Sequence, residues 1–348
     1  MSFWRSSPRE PATAVLAFVI VLSAIWAWSG RAASASAGTV VAPITVRSGG
    51  AAGAGEHPFV DVRVGNGRTV PVLLDTGWVG LHLYADAVRT GSGRGVAVTT
   101  QVNSITYIDG TTQRGLVARA TVTIAGIATR TPMAFGLINA VGCTTAPPDC
   151  PTKGGLAGVE RKGLYGTLGI GLGPGPIDNP LVHLPAPYSS SWSISLAGAA
   201  GRLILGAHAA ASPSDRFALP RDGKHQNGTV AFADKRASVC WTLGSRVTTC
   251  DPTLFDSGDS ATHFFGGVPG GAPASASGAL LPGTSVAASQ PGVVTPFWSF
   301  HVGPTTPPDA VHAAKSGDGS VNTGVQAFYA FRIVFNALRG VISLTRTS

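Results

Sequence analysis

Charge is scarce in this chain. Only 12 % of its 348 residues are Asp, Glu, Lys or Arg. The balance is basic, with a net charge of +8, but the Lys and Arg residues are scattered and no run of five occurs. With no recognisable RNA- or DNA-binding motif, this excludes nucleic acid as the expected partner. Long apolar runs are also lacking. After the N-terminal stretch Ala12–Trp28, no segment is long and apolar enough to span a bilayer. Cysteine is limited to four residues, in spacings unlike those of a zinc site. No His-Glu-x-x-His pattern, no phosphate-loop lysine and no serine nucleophile elbow is present. Metal and cofactor chemistry are therefore not expected. Gly and Pro, at 46 and 25 residues, are abundant beside a 44 % hydrophobic content. A turn-rich, apolar, weakly charged chain favours an all-β protein, and its length favours two packed lobes over a single core.

Within that background two acidic residues stand out. Val70-Pro71-Val72-Leu73-Leu74 runs into Asp75-Thr76-Gly77. About half a chain later, Thr253-Leu254-Phe255 runs into Asp256-Ser257-Gly258. An aspartate at the end of an apolar strand is costly to bury unless it is paired or hydrogen-bonded. The repeated pattern predicts two similar lobes, each delivering one carboxylate to a shared cleft. Two carboxylates held close together share one proton, so one acts as base while the other acts as acid. The plainer reading is that each Asp only caps its own turn.

At the N-terminus, Arg5 and Arg9 precede the apolar run, and Ala35-Ser36-Ala37 follows it. Residues 1–37 read as a secretory signal cleaved after Ala37, or as an uncleaved anchor, either of which places the remainder outside the cytoplasm. Disulfides persist there. Four cysteines allow three pairings, and the spacings favour Cys143 with Cys150 and Cys240 with Cys250. Residues 38–56, rich in Gly, Ala and Ser, read as a flexible lead-in, with order beginning near Phe59. A hairpin follows, Phe59–Val64 and Thr69–Leu74 around Gly65-Asn66-Gly67. Gln101–Asp109 then runs to a second hairpin tip at Gly110. Leu116–Ile124 and Ala134–Ile138 read as further strands. Residues 266–292 and 303–320 read as mobile surface loops.

The order Asp-Thr-Gly, then a Tyr-bearing hairpin, then a strand ending in glycine resembles the pepsin-like aspartic proteases. It is similar in feel to the secreted mycobacterial and actinobacterial members. The likeness covers roughly residues 57–345. It includes Gly166-Thr167-Leu168-Gly169-Ile170, the strand pair Trp192–Leu196 and Gly201–Gly206, Val321–Val325, and closing strands at Tyr329–Phe335 and Gly340–Leu344. The resemblance implies an all-β, bilobed fold with pseudo-twofold-related lobes about a central cleft. The N-terminal lobe would span 57–205 and the C-terminal lobe 206–348. It also implies Asp75 and Asp256 as the catalytic pair, with Thr76, Gly77, Ser257 and Gly258 supporting them. Tyr107, Asp109 and Gly110 would form a substrate-binding flap, and His82 stands where relatives carry a Trp beneath the flap tyrosine.

Two positions depart from the family pattern. Trp78 and Asp259 stand where a Ser or Thr ordinarily bonds the outer carboxylate oxygen. Trp78 is expected to crowd or desolvate the site, and Asp259 to raise the acid pKa values. Asn322-Thr323 is a further polar departure before Gly324. The expected function is a secreted or envelope-anchored monomeric aspartic endopeptidase acting on extended polypeptide. The alternatives are a weak or inactive relative that binds polypeptides at the cell envelope, and a structural envelope protein.

Overall fold

Alternating apolar and polar residues build this chain from strands. The structure is a computed structural model. It describes residues 38–48, 55–107, 110–144, 155–156, 163–207, 215–267, 272, 274–275, 278–303, 311–314 and 319–347. The expected leader at 1–37 lies outside the described residues.

The first half contributes β1 (Val40–Ser48), β2 (Glu56–Val64), β3 (Thr69–Asp75), β4 (Val79–Tyr84), β5 (Val96–Thr106) and β6 (Thr111–Ala120). It continues with β7 (Val122–Ile124), β8 (Ile127–Ala128), β9 (Met133–Cys143), β10 (Gly166–Ile170), β11 (Ser191–Ala197) and β12 (Ala200–Leu205). The second half contributes β13 (Asp215–Ala218), β14 (Arg221–Lys224), β15 (Val230–Phe232), β16 (Ala237–Leu243), β17 (Arg246–Leu254) and β18 (Thr262–Phe265). Then come β19 (Ser285–Ser289), β20 (Trp298–His301), β21 (Val311–Ala314), β22 (Val321–Asn322), β23 (Phe331–Asn336) and β24 (Val341–Arg346).

The two halves repeat one topology. In the first, β2 pairs antiparallel with β3, β3 parallel with β10, β10 antiparallel with β4, and β4 parallel with β9. In the second, β16 pairs antiparallel with β17, β17 parallel with β22, β22 antiparallel with β18, and β18 parallel with β21. β3 and β17 hold the same place in this repeat, and each leads into one of the two aspartates. The architecture is thus the expected all-β, two-lobed arrangement. A bridging layer joins the halves. The hairpins β11–β12 and β23–β24 meet edge to edge, from Ser191 opposite Asn336 to Ile194 opposite Ile333. β1 flanks one side and β13 the other. Trp192, Ile194, Leu203, Leu205, Ile333, Phe335, Ile342 and Leu344 are buried in it.

The structure corrects several expectations. Residues 38–56 are not a plain flexible lead-in, because Val40–Ser48 is a nine-residue strand paired with both β12 and β2. Its Gly/Ala/Ser-rich surroundings mask a period of two that buries Ala42, Ile44 and Val46. β2 begins at Glu56, before Phe59. Tyr329 does not lie in a closing strand. It belongs to a short helix, Gln326–Ala330, and the strand begins at Phe331. The two supposed surface loops each contain a paired strand. β19 lies antiparallel to β16, and β21 completes the second repeat. The apolar stretch Leu116–Ile124 is divided between β6 and β7.

The Cys240–Cys250 disulfide is formed and staples β16 to β17 at facing positions. Cys143, at the end of β9, is disulfide-bonded. Cys150, and with it the expected Cys143–Cys150 pairing, lies outside the described residues. Among the described residues, no helix is long and apolar enough to cross a membrane.

Candidate active site

β3 is a central strand between β2 and β10, and it buries Val70, Val72 and Leu74 completely or nearly so. Its apolar character holds the strand in place and carries Asp75 to its end. β17 does the same for Asp256, with Phe255 buried behind it. The chain turns at once after each aspartate. The Gly77 amide donates to Asp75 Oδ1 at 2.8 Å, and the Gly258 amide donates to Asp256 Oδ1 at 2.8 Å. Both glycines are required by close approach. A Cβ on Gly77 would lie 2.4 Å from the Asp256 carboxyl carbon, and one on Gly258 would lie 2.4 Å from that of Asp75. Each lobe's turn therefore presses against the other lobe's acid.

The turns are cross-braced beneath the carboxyls. Thr76 Oγ1 donates to the Phe255 carbonyl at 2.7 Å and accepts from the Ser257 amide at 2.8 Å. Ser257 Oγ donates to the Leu74 carbonyl at 2.7 Å and accepts from the Thr76 amide at 3.1 Å. Both hydroxyls are fully buried and have donor and acceptor roles filled. Such a network is stiff because any break leaves a buried polar group unpaired.

Asp75 and Asp256 are each only 8 % exposed, and a hydrogen bond joins their carboxyls. Burial raises the Asp75 pKa well above the ordinary carboxylate range, and the neighbouring Asp256 charge raises it further. Burial also raises Asp256, assisted by the Asp259 charge. Two acids so placed cannot both ionise, so the pair holds one proton. Both acids are raised, so the proton belongs to the pair rather than to either carboxyl alone. The arrangement can take a proton at one oxygen while giving one at another.

Asp256 Oδ2 accepts from Asn322 Nδ2 at 2.7 Å. The same amide group donates to Asp259 Oδ2 at 3.3 Å, while Asn322 Oδ1 accepts from the Gly324 amide at 2.9 Å. Asp259 Oδ2 also lies 3.2 Å from His263 Nε2. In the sequence Asn322-Thr323 stands out only as a polar departure before Gly324, with no contact to Asp256 or Asp259 assigned, and nothing there marks His263 as part of the site. The available signal was two polar residues ending a short strand before a glycine. Asp259 acts on both acids as expected, but it is bound by Asn322 and His263 rather than unpaired.

Trp78 is half-buried, and its ring packs against Tyr107, with centroids 5.2 Å apart. It also meets His82 edge-on at 6.5 Å. Trp78 thus packs as an aromatic support against the hairpin tip. His82 itself is buried, and desolvation pushes its imidazole down to about 4. The hairpin of β5 and β6 carries Tyr107, whose hydroxyl donates to Gln113 Oε1 at 3.4 Å, and Gly110, whose amide donates to the Tyr107 carbonyl at 3.0 Å. Asp109 lies outside the described residues. Behind the first turn, the buried Asp234 carboxylate accepts from the amides of Leu172 and Gly173. Burial pushes its pKa up to about 6. Among the described residues, no group of three or more His, Cys, Asp or Glu side chains is arranged to hold a metal ion.

Comparison with known proteins agrees with the topology. No curated protein matches the chain. A family described as "Protein of unknown function (DUF3443)" matches residues 36–179, which include Asp75 and the hairpin but not Asp256. Among solved structures, the aspartic proteinase from Irpex lacteus superposes with a TM-score of 0.55 at 17 % identity, over 90 % of this chain and 98 % of that one. At that identity the likeness establishes the fold: this chain has the bilobed all-β architecture of a pepsin-like proteinase.

Proposed function

We propose that this chain is an aspartic endopeptidase acting outside the cytoplasm, with Asp75 and Asp256 as the catalytic pair. The observation that carries the reading is the hydrogen-bonded pair of buried acids, supplied by equivalent strands of two matched repeats. In the reaction, the Asp256 carboxylate takes a proton from water as the water oxygen bonds to the peptide carbonyl carbon. Asp75 gives its proton to the carbonyl oxygen. The resulting diol collapses as the C–N bond breaks. Asp256 then passes its proton to the leaving nitrogen, and a diol hydroxyl returns a proton to Asp75. No covalent enzyme intermediate forms and the acids end as they began. The substrate is an extended polypeptide under the Tyr107 hairpin, held in part by backbone hydrogen bonds. The chain acts as a monomer, secreted or held at the cell envelope. The Cys240–Cys250 disulfide supports that compartment.

A second reading is peptide binding without turnover. It is favoured by Trp78 and Asp259, which replace the hydroxyl groups found beside the acids in the proteases this chain resembles. One assay separates the two readings. Asp75→Asn and Asp256→Asn should each lower cleavage of a peptide library at acidic pH by at least about 10²-fold. Wild-type protein that binds such peptides but leaves them intact from pH 3 to 7 would establish the binding reading instead.

A further inference from the structure

Asp259 is a third carboxylate beside two acids that already share a proton. It is nonetheless firmly held. Its Oδ1 accepts from the Ala261 amide at 3.1 Å, and its Oδ2 accepts from Asn322 Nδ2 and faces His263 Nε2. Asn322 spends its amide group on both Asp259 and Asp256. The residues therefore form one chain of contacts, His263–Asp259–Asn322–Asp256, starting at a side chain 27 % exposed and ending at a buried acid. The network also spans the second repeat, with His263 on β18, Asn322 on the neighbouring β22, and Asp259 in the turn between Asp256 and β18.

We infer that His263 is a charge-compensating residue for the acid pair, and that with Asn322 it turns Asp259 from a competing carboxylate into a clamp on Asp256. This rests on the endopeptidase reading for its use, but not for its test. Charge decides the direction. The charged groups acting on the pair are Asp259 on both acids, and His263 is acted on in turn by Asp259 and Asp256. His312 is its register neighbour on β21, and the Phe265 ring stacks on it from its own strand. Burial by itself would lower the His263 pKa, but the Asp259 and Asp256 carboxylates raise it overall. While His263 is protonated, its pair with Asp259 is neutral. Once it loses that proton, the Asp259 charge acts on Asp75 and Asp256 uncompensated, and the pair keeps its shared proton to higher pH. The partly buried imidazole thus sets the upper pH limit of the singly protonated pair.

The test is a carboxyl 13C NMR titration of protein labelled at aspartate, with the Asp75 and Asp256 signals assigned through their Asn variants. His263→Gln should move the upper apparent pKa of the pair up, and Asp259→Asn should move it down, each by about one pH unit. The double variant, which lacks both charges, should lie between the two single variants. In unmodified protein the His263 ring should titrate above the ordinary histidine range, and Asp259→Asn should bring it down. That measurement stands even if one variant folds poorly. An unchanged pair titration in both single variants, or shifts of the same sign, overturns the inference. A parallel cleavage assay separates the two ideas: an inactive wild type overturns the endopeptidase reading alone, since the titration is still read.

Discussion

Thr76 and Ser257 do more for this site than their size suggests. Each hydroxyl binds two backbone groups of the opposite turn, and all four partners are buried. Thr76→Val keeps the volume but leaves an amide and a carbonyl without partners. Such a loss costs about 1–3 kcal/mol per unpaired group. Both Thr76→Val and Ser257→Ala should lower the thermal midpoint. Because the two hydroxyls share one network, the double variant should cost less than the sum of the singles. A strictly additive result would show that the two turns are not mechanically joined. Trp78 teaches a related point. Read alone, it obstructs the acids. In the structure its ring packs against Tyr107 and His82, so its bulk also supports the hairpin.

Among the elements, β3 and β17 were legible because an apolar strand ending in an acid is unusual and appears twice. β1 was not legible. Its inward set of Ala42, Ile44 and Val46 is weak in composition, and only pairing with β12 and β2 gives it a defined inner face. Its energetic role can be measured. Burying Ile44 and Val46 stabilises by about 3–6 kcal/mol together. A chain starting at Gly38 is the reference. A chain starting at Gly49 should unfold well below it. Equal midpoints would mean that β1 adds nothing to the bridging layer. β19 and β21 were missed for the same reason as β1, since Gly, Ala and Ser surround strands whose partners lie far away in sequence.

Over the whole molecule, the halves are joined by more than the bridging sheet. Asp178, in the first half, accepts from the Gln226 amide at 2.6 Å, with His183 Nε2 at 2.9 Å and His225 Nδ1 at 3.6 Å. Burial raises its pKa, but the hydrogen bonds with His183 and Gln226 and the nearby His225 ring outweigh that and bring it down to about 2. The folded value lies below the unfolded one of about 3.9, so the stabilisation is complete above about pH 4 and is lost as pH falls through about 2. Asp178→Asn should therefore lower the thermal midpoint at pH 6, and the difference from wild type should shrink as pH approaches 2. A constant difference across that range would mean that the carboxylate charge is not what ties the hairpin β14–β15 to the segment after β10.

The sequence by itself determined the strand-rich character of the chain, the two acid-bearing strands and the disulfide within the second half. Each of these depends on local pattern: a period of two, an apolar run broken by an acid, and two cysteines separated by a short span. Tertiary structure decided the rest. It brought Asp75 and Asp256 into hydrogen-bonding contact, turned Trp78 toward the hairpin, and placed Asn322 and His263 around Asp259. None of these follows from neighbours in the chain. The charge state of a buried acid depends on which residues the fold brings within a few ångströms of it, and those residues come here from both halves of the molecule.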